Sequence, residues 1–237
     1  HWESDRALKV WRLRLRKNVV FHNGQPLQAQ DVVYSLNHHR KKDSPSAVRG
    51  HMQQVKDLHA EGKDVVVITL LGANAEFPYL LSEVNFGITP DGADFDKGIG
   101  TGPYMLESFQ PGVRTITRRN PNYWKSDRAF VDRIETVAYN DSAARVAALM
   151  SGAVHFINHV TPNVVQRLAK SPLVNTHRNK SSFQITFPGL ADRTPFNQLD
   201  VRLALKYAID REQLLKSLVN GYGTLGNDSP LFPSNPY

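Results

Sequence analysis

The chain has 237 residues, with 29 Lys and Arg against 22 Asp and Glu, which gives a formal net charge of +7. Hydrophobic residues make up 41% and charged residues 22%, a composition typical of a folded globular protein and not of a disordered or collagen-like chain. Because there is no cysteine, disulfides, thiolate catalysis and cysteine-ligated metal sites are excluded. The longest apolar run, at 65–71, has the length of a strand and falls short of the roughly 18 residues of a membrane-spanning helix.

The first part of the chain carries strand patterns and one helix pattern. Trp11, Leu13 and Leu15 alternate with arginines, which predicts a half-buried strand at 9–16. The Asn23–Gly24 pair predicts a turn with a positive φ, and apolar residues at helical spacing predict a helix at 29–41. The other strands we predict lie at 64–71, 104–109, 113–119 and 133–139.

The last part of the chain carries helix signals. The residues that we predict as N-caps are Asp141 or Ser142, Thr161, Asp200 and Asp210, and glycines follow the first and last of these helices. Strands that alternate with helices predict an α/β fold.

A glycine loop at 98–102 resembles half of a dinucleotide-binding fingerprint. That fingerprint needs a helix directly after the glycines, but here Pro103 and a strand pattern follow, so we interpret the loop as a structural turn. The sequence contains no phosphate-binding loop, no HExxH motif and no GxSxG motif. We therefore predict no catalytic residues and no enzymatic activity.

Histidines and basic clusters give no ligand pattern. His38 and His39 are neighbours and would point in different directions on a helix, and His155 and His159 would suit a metal only on a helix, which 156–158 does not favour. The basic residues at 12–17 and 40–42 lack the interleaved aromatic residues of a nucleic-acid surface. We predict no metal site, no cofactor and no nucleic-acid partner.

Five groups of segments, in order, carry a family resemblance. They are WRLRLRKNVVFHNGQPLQAQDVVYS at 11–35, GTGPY at 100–104, RNPNYW at 119–124, DSAAR with the glycine that follows at 141–152, and PF, DVRLAL and AIDR within 195–211. Together they resemble bacterial extracellular solute-binding proteins of family 5, the dipeptide, oligopeptide and nickel binders of ABC importers. Gln28, where the family commonly has Thr, and His155, where it often has Asp, depart from the pattern.

The resemblance implies an α/β, type II periplasmic-binding-protein-like two-lobed clamp, incomplete in this sequence. It assigns 1–98 to the extra subdomain of lobe I without its N-terminal part, 99–187 to the core of lobe I as far as the hinge, and 188–237 to the beginning of lobe II. In peptide-binding relatives, lobe II residues beyond Tyr237 meet the charged ends of the ligand. We therefore expect this stretch alone to bind ligand weakly or not at all.

The implied function is capture of a di- or oligopeptide outside the cytoplasmic membrane and its delivery to the transmembrane subunits of an ABC permease, without covalent chemistry. The resemblance implies a periplasmic or extracytoplasmic monomer that meets the membrane only through the permease or through a lipid anchor outside this sequence. The alternatives are a ligand-sensing regulatory module of the same fold and a nickel, haem, opine or sugar binder of the same family. A hydrolase is disfavoured because no nucleophile-and-base arrangement is present.

Candidate ligand-facing residues are few. Asn158 and His159 are expected in the loop after a strand that follows Gly152, near the place where oligopeptide-binding relatives offer an Asn to the ligand. Phe187 is expected at the hinge crossing. Asn227 and Asp228 follow Gly226, and a carboxylate there could meet a ligand ammonium.

Overall fold

The computed structural model describes residues 1–179, 185–186 and 189–226. The chain divides into two compact units, of which the first ends at Ala138 and the second begins at Tyr139. Within the described ranges, every helix is too short or too polar to cross a membrane.

The first unit begins with a four-stranded antiparallel sheet in the order β1–β2–β4–β3. Its strands are β1 (Trp2–Ser4), β2 (Val10–Arg14), β3 (Val55–Glu61) and β4 (Val65–Leu70). The alternation predicted for β2 is confirmed, because Trp11 is buried and Arg12 and Arg14 are exposed. The strand predicted at 64–71 is confirmed as β4, whereas β1 and β3 are not predicted by the sequence patterns.

Three α-helices lie in the same unit, α1 (Ala29–Arg40), α2 (Arg49–Met52) and α3 (Phe77–Leu80), together with a 3-10 helix at Phe95–Lys97. The helix predicted at 29–41 is therefore confirmed, and its apolar face packs on β3 and β4. Val32, Val33 and Leu36 supply that face, and Ile68 and Phe77 are fully buried in the same core. Burial of this apolar area stabilises the unit by about 25 cal/mol per Å².

Polar bonds tie α1 to a loop that lies far along the chain. The Asp31 carboxylate accepts from the Gln28 backbone N–H (2.7 Å) at the helix N-terminus and from the Asp91 N–H (2.8 Å). The buried Ser35 hydroxyl donates to the Asp31 carbonyl (2.8 Å) and accepts from the Thr89 N–H (3.0 Å). Gln28 is a poor capping residue, and the Asp31 carboxylate supplies a bond at the same helix end.

His39 lies near the end of α1 and is buried. Its Nδ1 atom lies 2.7 Å from the Ser46 hydroxyl, and its ring meets the Phe86 ring edge-on at a centroid distance of 5.1 Å. Burial, followed by the nearby His38 side chain, lowers the pKa of His39 below its ordinary value of 6.5. The fold therefore favours the neutral imidazole.

A second antiparallel sheet completes the first unit and shares no strand with the first sheet. Its strands, in spatial order, are β5 (Tyr104–Gln110), β6 (Arg114–Arg119) and β7 (Arg133–Val137). All three strands are predicted by the sequence, although β7 ends two residues earlier than expected. Gly112, with a φ of 70°, supplies the positive φ of the β5–β6 turn.

The glycine loop at 98–102 is held by a histidine from the turn after β2. His22 donates its backbone N–H to the Gly100 carbonyl (2.9 Å), and the Gly100 N–H donates back to His22 Nδ1 (3.2 Å). His22 Nε2 lies 3.1 Å from the Gly102 carbonyl, which also accepts from Asn120 Nδ2 (3.0 Å). Since Nδ1 accepts and a carbonyl can only accept, the ring proton resides on Nε2. The loop is followed by β5 and not by a helix, as predicted.

The described part of the second unit contains four helices, namely α4 (Ser142–Met150), α5 (Pro162–Leu168), α6 (Leu199–Ala208) and α7 (Arg211–Val219). The predicted N-caps Asp141 and Asp210 are confirmed: each carboxylate accepts from the backbone N–H three residues later, at 2.7 and 2.9 Å. Thr161 is the N-cap of α5.

The predicted start of α6 is wrong. The N-cap is Gln198, the helix begins at Leu199, and Asp200 lies in the first turn. An acidic side chain is favourable there because the first turn carries the positive end of the helix dipole, so Asp200 marks the helix start without capping it.

Candidate functional site

Asn158 and His159 lie in the segment between α4 and α5, and both are exposed. The predicted strand between Gly152 and Asn158 is not found. Among the described residues no neighbouring strand pairs with this segment, and a strand requires such a hydrogen-bonding partner. Gly152 ends α4 with a φ of 77°.

His159 has a φ of 51°, in the left-handed region that non-glycine residues adopt infrequently. A conformation of this kind costs of order 1 kcal/mol and persists only where surrounding contacts fix it. His155 and His159 do not share a helix, so the helical i, i+4 arrangement that would suit a metal is not present at these two residues. The described ranges contain no group of three or more His, Asp or Glu that could hold a metal ion.

Arg145, in the second turn of α4, provides the contact that fixes this segment. Its Nη1 atom donates to the Asn158 carbonyl (3.0 Å) and to Asn158 Oδ1 (3.4 Å). The side chain is half-buried, and its Nε atom is buried without a hydrogen-bond partner among the described residues. A guanidinium so placed can hold a backbone turn and still offer a donor to an anionic or carbonyl group.

Sequence reasoning does not single out Arg145. A signal is present, because Arg145 is the one charged residue within α4, whose other residues are alanine, valine, leucine, methionine and an N-terminal serine. Arg145 is half-buried, and a charge removed in part from water is normally paired or hydrogen-bonded. Here the partner is the segment that the sequence identifies as ligand-facing.

An open groove of about 450 Å³ lies between α4 and α5. Its α4 side is apolar, with Val146, Ala147 and Met150, and its α5 side carries the cations Arg167 and Lys170. Neither Asn158 nor His159 lines this groove, so it is separate from the candidate ligand-facing segment.

The remaining candidate residues, Phe187, Asn227 and Asp228, lie outside the described residues. Of the candidate site, only Arg145, Asn158 and His159 can be described in atomic terms, and all three lie in the second unit.

Comparison with known proteins identifies the family of the chain. The model of bacterial extracellular solute-binding proteins, family 5 Middle, matches residues 1–237. A curated relative, the probable peptide-binding protein YejA of Agrobacterium fabrum, is 26% identical, and the match covers 88% of this chain and 39% of that protein.

Solved structures show the same fold. NikZ from Campylobacter jejuni, in complex with Ni(L-His), matches with a TM-score of 0.82 and 23% identity over 98% of this chain and 48% of its own. DppA from Helicobacter pylori, in complex with the peptide STSA, matches with a TM-score of 0.77 and 25% identity over 93% of this chain and 49% of its own.

The chain spans less than half the length of each of these three proteins. It carries part of the α/β, type II periplasmic-binding-protein fold, as the sequence resemblance implied. The chain belongs to the bacterial extracellular solute-binding proteins of family 5.

Proposed function

We propose that the chain is part of the extracytoplasmic solute-binding component of an ABC importer, which captures a di- or oligopeptide and delivers it to the permease. The observation that carries the proposal is the family match across residues 1–237. Among the relatives, a probable peptide-binding protein and a DppA bound to the peptide STSA support a peptide as the ligand, and the NikZ complex with Ni(L-His) makes nickel a competing ligand class. In this proposal the protein works as a periplasmic or extracytoplasmic monomer and performs no covalent chemistry.

The proposed mechanism is closure of two lobes around the ligand, with water excluded from the peptide as the lobes meet. Within this scheme we assign 1–98 to the extra subdomain of lobe I, 99–187 to the lobe I core and 188–237 to the beginning of lobe II. In favour of the first boundary, β1–β4 and β5–β7 share no strand and the boundary falls between them, although both sheets belong to the compact unit that ends at Ala138.

The chemistry of the Arg145–Asn158 pair supports a peptide ligand. A peptide presents carbonyl oxygens along its backbone and a carboxylate at one end, and both groups accept hydrogen bonds. A guanidinium and an exposed amide are suitable donors for them. Phe187, Asn227 and Asp228, outside the described residues, are further candidates in this proposal, because a carboxylate such as that of Asp228 suits a ligand ammonium.

The test is calorimetry on the full-length protein with trialanine, and with nickel chloride and mannopinic acid as the competing ligand classes. We expect saturable binding of trialanine and no measurable heat from the other two. Saturable binding of nickel or mannopinic acid, with no response to dialanine, trialanine or tetra-alanine, would contradict the proposal.

A further inference from the structure

We infer that Arg145 is a positioning residue that turns the Asn158 amide so that its N–H groups face the ligand, and that this segment therefore binds a carbonyl or carboxylate oxygen. The inference deepens the proposed function and rests on it for the identity of the ligand as a peptide. The orientation of Asn158 itself follows from its contacts with Arg145.

The orientation follows from donor and acceptor chemistry. A guanidinium carries five N–H donors and no acceptor, so only the oxygen of the Asn158 amide can face it. Arg145 Nη1 donates to that oxygen at 3.4 Å and to the backbone carbonyl of the same residue at 3.0 Å. Both N–H bonds of Asn158 Nδ2 are consequently directed away from Arg145, on a residue that is exposed.

The same contacts fix the backbone. Because one nitrogen of Arg145 holds both the main-chain and the side-chain oxygen of Asn158, the peptide that leads into His159 cannot rotate without breaking them. His159 has a φ of 51°, which non-glycine residues rarely adopt without such support. Arg145 extends from within α4, so the support is a regular helix and not another loop.

The positive charge of Arg145 determines which chemical groups of a peptide this segment can bind. Arg145 is a cation, and among the described residues no carboxylate forms an ion pair with it. A ligand ammonium or a bare metal ion would meet N–H donors and a positive charge, which is unfavourable. A carboxylate or a peptide carbonyl would meet only the N–H donors of Asn158 and Arg145. The segment therefore binds the hydrogen-bond acceptor groups of the ligand.

The experiment compares binding of trialanine to full-length variants by calorimetry. Asn158→Asp keeps an oxygen facing Arg145, so the turn persists, but it replaces the two N–H donors with a carboxylate. We expect its affinity for trialanine to fall at least tenfold. Asn18→Asp, an equal charge change at an exposed asparagine with a φ of 61°, is the matched control and should bind as the unaltered protein does. Equal or tighter binding by Asn158→Asp would overturn the inference.

A second measurement needs no ligand. Arg145→Gln and Asn158→Ala should each lower the melting temperature, and the double variant should lower it by less than the two shifts added together, because one interaction is removed in both. Asn158→Asp should melt at or above the temperature of the unaltered protein. Additive shifts, or a lower melting temperature for Asn158→Asp, would show that Arg145 does not orient this residue.

The two measurements separate the inference from the proposed function. If the unaltered protein does not bind trialanine, the peptide proposal is what fails, and the melting temperatures alone decide whether Arg145 orients Asn158. If it binds trialanine and Asn158→Asp binds equally well, the inference fails and the peptide proposal stands.

Discussion

Replacement of His22 by phenylalanine tests the contact that holds the glycine loop. The variant keeps a ring of similar size but removes both ring nitrogens, so the Gly100 N–H loses its acceptor and the Gly102 carbonyl loses one of two donors. A neutral hydrogen bond contributes about 0.5–1.5 kcal/mol net, so two lost bonds predict a loss of roughly 2 kcal/mol in unfolding free energy. The loop is half-buried, and water can replace the lost partners only in part.

The assay is urea unfolding followed by tryptophan fluorescence. All three tryptophans, Trp2, Trp11 and Trp124, lie in the first unit, so the signal reports the unit that contains the loop. His51→Phe is the matched control, since His51 is exposed and its ring forms no hydrogen bond to the described residues. Equal stability of the two variants would refute the conclusion that the His22 ring holds the loop.

A double variant sharpens the same test. Asn120 is buried and donates to the Gly102 carbonyl that His22 also contacts. Residues that share a partner couple by about 0.5 kcal/mol or more, so Asn120→Ala combined with His22→Phe should not give the sum of the two single effects. Additive losses would mean that the two side chains act independently.

Three further changes have expected outcomes, each measured by the same urea unfolding. Asp31→Ala removes the acceptor of two backbone N–H groups and should cost about 2–3 kcal/mol, against Asp31→Asn, which retains one acceptor oxygen and should cost less. Because burial lowers the pKa of His39 in the folded state, the unfolded chain binds more protons below pH 6.5, and the free energy of unfolding should decline as the pH falls from 6.5 through the folded-state pKa. His39→Gln should flatten this dependence of stability on pH. An unchanged dependence in His39→Gln would contradict the assignment to His39. Gly98→Ala should destabilise by about 1–2 kcal/mol, because φ is 60° and the new Cβ would lie 3.0 Å from Leu106 Cδ2, whereas Gly102→Ala meets nothing within 4 Å and should be nearly neutral.

Local patterns were sufficient to predict the elements whose periodicity is unbroken. β3 shows where such patterns fail. Its buried residues Val55 and Leu58 are three apart, because the pairing register with β4 shifts between Val55 and Asp57. A bulge inserts a residue and breaks the period of two, so the segment does not resemble a strand in sequence. β1 is three residues long and exposed, too short for any period to be seen.

The sequence points to only part of the candidate site. Asn158 and His159 are candidates because they follow the recognised segment at 141–152, whereas the Arg145–Asn158 contact joins residues 13 apart, with Gly152 at a φ of 77° between them. Helical spacing predicts contacts three or four residues away and gives no information about contacts beyond the helix end. For that reason helical spacing does not point to Arg145, although Arg145 belongs to the family-like segment at 141–152.

The bonds that anchor α1 and the glycine loop have a kinetic consequence. They join residues 60 apart at Asp31 and Asp91, 54 apart at Ser35 and Thr89, and 78 apart at His22 and Gly100. Closing chain segments of this length costs conformational entropy before the bonds form, whereas the turns of α1 are local and form quickly. We expect these bonds to be absent from the folding transition state, so weakening them should speed unfolding and leave the folding rate nearly unchanged. The lifetime of the folded first unit would then depend more on these few polar contacts than on its helices.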